Sequence, residues 1–292
     1  MRRQERIQRR QNEDGMLRTQ AAAKSYFNRA EIQNSIAFVI SAISVFTMLM
    51  TKSENQIWNF LVTCAPGICG VIAYLFYAQM VRNVKRAAIL RNYFDAYVLE
   101  VGNVPMTDNE RRRIADLVRK VNKGRGNKTN IQIHNTGRDD PPGVKNWYEF
   151  SKKYPDERAV YECQRQNIWW SKELINKAII VNATVILLVF LSGIAICIWG
   201  NTDSAVAALI IFAITYLLTF ADRIKNYIAY KRLSNEIDGI NATVDHAGNE
   251  EQIRYLQERI NDRRELPVLG MNYMHIKNSA ALSKRYEEIS AR

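Results

Sequence analysis

The chain has 292 residues, with 41 Lys and Arg against 29 Asp and Glu and a formal net charge of +12. That length admits one or two soluble domains, while four scattered cysteines exclude a disulfide framework or a zinc module. The slightly negative mean hydropathy of −0.26 describes only an average, because the apolar residues are gathered into four blocks.

Residues 1–31 open with a basic stretch and become rich in Ala and aromatics, "LRTQAAAKSYFNRAEI". They are expected to form an N-terminal amphipathic helix on the cytosolic face of a membrane. The first block, 32–50, and the second, 58–80, contain no Lys, Arg, Asp or Glu. The segment 81–178 is charged and reads as a helical domain. Its first part, through "VRNVKRAAILRNYFDAYVLEVGNV", carries Ile89, Tyr93, Ala96 and Val98 as an apolar stripe and ends at Gly102 and Pro105. Thr107 to Glu110 is a capping box that starts the next helix, and Gly124 and Gly126 stop it. Residues 124–145 are expected to be an irregular loop with a short strand at "NIQIH". From Pro155 a helix is expected to run through "CQRQNIWWSKEL" into the third block. The third and fourth blocks, 179–200 and 205–221, are again free of charge. Residues 222–292 follow as a helical tail in which Asn249 caps a helix bearing Ile253, Leu256 and Ile260, with 278–290 a last short helix.

About 20 helical residues cross a hydrocarbon core of roughly 30 Å, so each block is long enough to span. The links within each pair, Thr51–Ile57 and Asn201–Ser204, are short and enforce antiparallel hairpins. The expected fold is therefore a mainly α membrane protein with two transmembrane hairpins (32–80 and 179–221), four spans, and a mostly helical cytosolic domain assembled from the other three segments. Of the 41 basic residues only Lys52 lies in a hairpin tip, which places both termini and the middle segment in the cytoplasm. Anionic lipid headgroups account for the flanking charge, so binding to a nucleic-acid polymer is not expected. The apolar run begins too far in for a cleaved signal peptide and is expected to be an anchor.

Cys64, Cys69 and Cys197 fall within spans and only Cys163 outside them, and His134, His246 and His275 are isolated from one another. No metal set, cofactor motif, nucleophile elbow or phosphate loop is present, so neither a metal, a cofactor nor an enzymatic activity is expected. The segment "CQRQNIWW" is the most unusual polar stretch. Three roles fit it: an interfacial belt, a packed corner, or a ligand site. Trp169 precedes the third block by about ten residues, roughly 15 Å of helix, which is far for a belt. Arg165 and Trp169 are four apart, the spacing for a guanidinium to stack on an indole. Arg165 suits phosphate, Asn167 a base edge, and Trp169 and Trp170 offer stacking faces, with Arg10 and Asp95 as further candidates for such a ligand site. Asp95 lies among apolar residues and needs a partner, for which an Arg from one of the two "RQN" repeats, Arg10 or Arg165, is the natural candidate. In the spans Ser41, Ser44 and Thr47, and Thr215 and Thr219, recur on helical faces. Such hydroxyls serve helix packing in lipid or line an oligomeric pore.

Several stretches together resemble one family. "RRQNEDGMLRTQAAAKSYFNRAE" (9–31), "NYFDAYVLEVGNV" (92–104), "NWYEFSKKYP" (146–155), "CQRQNIWWSKEL" and "LQERINDRRELPVLG" (256–270) are similar to elements of the SMODS-associated four-transmembrane effectors of bacterial cyclic-oligonucleotide anti-phage defence. The Leu-Pro-Trp-Asn turn usual after the second of these is absent. The resemblance implies an effector in the bacterial inner membrane that disrupts or permeabilises the bilayer when a cyclic oligonucleotide is made. It also implies a homo-oligomer and, as functional partner, a cyclic-oligonucleotide synthase. A membrane scaffold that recruits cytosolic partners is the alternative that the topology alone allows.

Overall fold

The structure, a computed structural model, describes residues 1–47, 55–102, 107–123, 126–149, 154–200, 203–244, 249–270, 285, 286 and 288. Among these, eight helices follow one another: α1 (Arg3–Gln11), α2 (Asp14–Thr47), α3 (Gln56–Leu99), α4 (Asp108–Asn122), α5 (Gly126–His134), α6 (Asp156–Gly200), α7 (Asp203–Thr243) and α8 (Glu250–Glu265). No strand occurs among them.

Three of these helices are more than 40 residues long, and the sequence shows why they do not stop at the ends of the apolar blocks. No Gly or Pro punctuates "QMVRNVKRAAILRNYF" or "KELINKAIIVNATV", so nothing breaks the helix where polar sequence meets apolar. Each long helix therefore has an apolar half and a charged half. In the apolar halves large side chains point outward: Phe60, Ile68 and Leu75 on α3, and Ile180, Leu188 and Ile198 on α6. Only 22% of the most apolar window of α3 is buried, and 18% of that of α6. A core helix of a soluble protein would be mostly covered, so this exposure fits helices that face lipid.

The charged halves assemble with the shorter helices into a second body. Helices α2 and α3 form the most extensive pair, because Ala22, Ala23, Ala87 and Ala88 let the two backbones approach closely. On this pair α4 lays Ile114, Leu117 and Val121 beside Tyr26 and Leu90. Its start is the expected capping box: Thr107 accepts from the Glu110 amide and Glu110 accepts from that of Thr107. A second cluster joins α1, α3, α6 and α8 through Ile7, Phe94, Val98, Ala159, Val160 and Ile253.

Two expectations are corrected. "NIQIH" is not a strand but the end of α5. Ile131 is exposed while Thr129 and Ile133, four apart, are buried. Ile133 packs on Ala21 and Val144, which is helical rather than alternating burial. The segment 1–31 is not one helix. It turns at Asn12 and Glu13, and α1 packs into the core, with Ile7 buried against Phe94 and Val98.

Candidate functional site

The charged body is organised around two side chains, Tyr148 and Asp95. Both are about 1% exposed, so each polar atom needs a partner. Tyr148 lies in the segment between α5 and α6, and its backbone is fastened to α1. Its N–H donates to Gln11 Oε1 at 2.7 Å, and its carbonyl accepts from the Gln11 and Gln8 amides at 3.1 and 3.0 Å. Asn12 and Asn146 add a reciprocal pair at 2.8 and 3.1 Å. Asn146 adopts a left-handed conformation, φ 53°, which Asn tolerates better than most residues. The same segment passes so close to α5 that a Cβ on Gly143 would stand 1.8 Å from the Asn135 carbonyl oxygen. Only glycine fits there.

At its other end the Tyr148 hydroxyl donates to Asp95 Oδ1 at 2.6 Å and accepts from Asn167 at 2.7 Å. Asp95 Oδ2 accepts from Arg264 at 2.7 Å and from Gln257 at 3.2 Å. Gln164 donates to Gln257 and to the Ile253 carbonyl. The two "RQN" segments thus hold the same tyrosine from opposite ends, Gln11 at its backbone and Asn167 at its hydroxyl. Burial first, and then the Asp95 charge, pushes the Tyr148 hydroxyl well above its ordinary pKa and does the same to the Cys163 thiol. Both groups are inert proton carriers at neutral pH.

Against this network lies a cavity of about 270 Å³, near the lower end of the roughly 300–1,000 Å³ of small-molecule sites. It is walled by α2, α3, α6, α7, the 137–149 segment and the 263–270 segment. Among the described residues six cationic side chains line it, Lys24, Arg91, Arg138, Lys145, Arg263 and Arg264, against two carboxylates, Glu31 and Glu149. Two cations are committed: Arg264 to Asp95 and Arg138 to Glu149, at 2.7 and 2.5 Å. The other four have no carboxylate within salt-bridge distance among the described residues. Arg91 is held between the rings of Phe27 and Trp147, at 4.7 and 4.9 Å from their centroids, and its Nε has no hydrogen-bond partner among the described residues. Lys24 donates to the Pro142 carbonyl.

The electrostatics record the imbalance. Burial, and then the charge of Arg91, lowers the Lys24 ammonium to about 8. Burial, and then the charge of Arg264, lowers Arg91 to about 10. Arg263 is lowered by burial as well. Such shifts mean that the charged forms are held where they are disfavoured, a situation that an entering anion relieves. Trp147, Trp170 and Tyr230 add aromatic surface, and Asn28, Gln166 and Asn167 add amide donors and acceptors.

The residues singled out by sequence are divided by the structure. Asn167 and Trp170 line the cavity. Asp95 stands behind its wall, and its cationic partner is Arg264 of α8 instead of an Arg from "RQN". Arg165 turns back along its own helix to Glu162 at 3.1 Å rather than stacking on Trp169. Trp169 packs edge-on against Trp170 and beside Tyr286. Arg10 lies elsewhere, paired with Glu100 at 2.6 Å and over the Tyr97 ring. In the apolar halves Ser41 donates to the Ala37 carbonyl and borders a small void with Phe38, Ala73 and Arg223. The Ser44 hydroxyl is buried with no hydrogen-bond partner among the described residues, while the Ser44 carbonyl accepts from Thr47. The side chains of Thr215 and Thr219 lie outside the described residues.

Sequence reasoning passed over Lys24, Arg91, Lys145 and Arg263. For two of them a signal existed. Lys24 follows three alanines on a buried face, and Arg91 sits between Leu90 and Phe94, both fully buried. A lone cation on an apolar helix face is costly unless something compensates it.

Where the spans enter the charged body, Arg223 is 6% exposed, stacked between Phe38 and Tyr77 at 4.5 Å from each centroid and bonded to Asn34 at 2.6 Å. Tyr77 donates to Asp222 at 2.5 Å. This cluster ties α2, α3 and α7 at one level. Immediately beside it Leu269 packs on Ala30, Tyr77 and Met80, and Gly270 approaches Leu174 and Ile175 of α6. The segment after α8 therefore touches both helix pairs at the mouth of the spans and also forms one wall of the cavity.

No curated protein and no solved structure matches the chain. One family model does, over residues 5–277: the SMODS-associating 4TM effector domain.

Proposed function

We propose, from the premise that the chain belongs to the SMODS-associating 4TM effector family, that it converts a cyclic-oligonucleotide signal into loss of the membrane barrier. The family places the chain among membrane effectors of cyclic-oligonucleotide defence signalling. Permeabilisation itself is supported above all by one observation: α3, α6 and α7 pass without a break from the charged body into the apolar halves. A rearrangement among their charged ends is therefore delivered to the spans as rigid-body motion, not absorbed in a linker. The cluster at Arg223 and the Leu269 contact lie at that crossing. A signal acts only through its differential affinity for two arrangements of these helices.

In this proposal the chain sits in the bacterial inner membrane with both termini in the cytoplasm, a topology that the distribution of Lys and Arg supports. It assembles with copies of itself, since one four-helix protomer is small for a pore, and it acts without catalysis. The test is made in cells producing the protein with and without an active cyclic-oligonucleotide synthase. Uptake of a membrane-impermeant dye and collapse of the membrane potential are expected only when both are present. Intact membranes under a confirmed signal, with a cytosolic protein co-purifying in fixed ratio, would instead show a scaffold.

A further inference from the structure

We infer that the cavity between α2, α3, α6 and the 137–149 and 263–270 segments is the receptor site for a phosphodiester-linked nucleotide ring, with Lys24, Arg91, Lys145 and Arg263 meeting the phosphates and Trp170 a base. The identity of the ligand rests on the effector proposal above. The chemistry of the site rests on the side chains alone.

Three observations carry it. First, the charge is unbalanced in a confined space: four cations around one cavity lack a carboxylate partner among the described residues, and burial disfavours at least three of them. Structural cations in a folded body are paired, as Arg264 is with Asp95. Second, Arg91 is preorganised. Its guanidinium is clamped between two rings, so an incoming phosphate finds planar donors whose rotamer entropy is already lost. Third, the walls are not those of a simple anion site. Phosphate alone needs no aromatic surface. Trp170 beside the Asn167 and Gln166 amides supplies a stacking face and base-edge partners, the combination by which single-stranded nucleotides are held.

A lipid headgroup offers the same phosphodiester, and the cavity lies near the spans, but it has no flat ring to use these walls. The site also has a route outward. Leu269 and Gly270 line it and wedge between the helix pairs at the membrane end, so a ligand that fills the cavity bears directly on the contacts there.

The experiment is equilibrium binding of cyclic di-AMP, cyclic GMP-AMP and cyclic tri-AMP to the full chain in nanodiscs, with linear pApA, inorganic phosphate and dioctanoyl phosphatidylglycerol as further arms. At least one cyclic probe is expected to bind, and to bind about tenfold more weakly to Arg91→Met, Lys24→Met and Trp170→Ala, with Lys120→Ala on the outer face of α4 unchanged. Lys145→Ala, at an exposed position, guards against a variant that merely fails to fold. Binding of the phospholipid alone overturns the assignment, as does nucleotide binding that all four cavity variants leave intact. The two proposals fail separately. Signal-dependent leakage without binding here moves the receptor elsewhere, whereas binding here without leakage removes the permeabilising role and leaves the site.

Discussion

Replacing Arg264 by Met removes the cationic partner of a carboxylate that is 1% exposed and joins α3 to α8. The methionine fills much of the volume, so the loss is electrostatic. Asp95 keeps its hydrogen bonds from Tyr148 and Gln257 but loses its ion-pair partner, leaving the longer-range charge of Arg91 to face it. Breaking one side of a buried ion pair costs about 3–5 kcal/mol. Asp95→Asn retains acceptor and shape and strands the Arg264 guanidinium instead, with a loss of the same order. The double variant removes both charges and, on this argument, regains most of either loss. The assay is thermal unfolding of detergent-purified protein, followed by tryptophan fluorescence. At roughly 2–4 °C per kcal/mol each single variant is expected to fall by about 6–20 °C, with the double variant closer to wild type than either. If the two losses simply add, within about 0.5 kcal/mol, Asp95 and Arg264 are not coupled and the account of the network is wrong.

Other outcomes follow from the same geometry. Tyr148→Phe removes the donor to Asp95 and the acceptor for Asn167, and is expected to cost about 1–3 kcal/mol in the same unfolding assay. Gly143→Ala places a methyl group inside van der Waals contact of the Asn135 carbonyl. It is expected to cost about 1–3 kcal/mol and to expose the 137–149 segment to limited proteolysis, while α4 stays protected. Binding of the cyclic probe should depend on pH through Lys24. Its free-state value is about 8 against an ordinary 10.5, and a bound phosphate raises it again. Affinity is then full near pH 7 and about tenfold lower near pH 9. Arg91, at about 10, remains largely charged across that window, so Lys24→Arg should flatten the slope.

The helical membrane architecture was legible because its causes are local. Charge-free blocks, short links and the absence of helix breakers specify long helices whatever else happens. The capping box at Thr107 was readable for the same reason. What failed were decisions made by tertiary contacts. "NIQIH" has strand composition, yet Ile133 finds Ala21 and Val144 only as a helix. Asp95 announced its need for a cation, but Arg10 and Arg165 both have nearer carboxylates in Glu100 and Glu162, which left the role to Arg264, 169 positions along the chain from Asp95. The "RQN" repeats were visible as a coincidence of three letters. Their common object, Tyr148, was not, because its position is set by the approach of α1 to a segment more than 130 residues later. The cavity was half legible. Asn167 and Trp170 come from a segment conspicuous in sequence, while Lys24, Arg91, Lys145 and Arg263 come from four separate elements that only packing brings together.

The central claim, that occupancy of the charged body opens the membrane, is tested most directly by reconstitution. Purified protein is placed in phosphatidylethanolamine–phosphatidylglycerol vesicles loaded with carboxyfluorescein, and the cyclic probe found to bind is added outside. The account predicts dye release that follows the binding isotherm and is lost in Arg91→Met. Vesicles that stay sealed while the probe is demonstrably bound would contradict it.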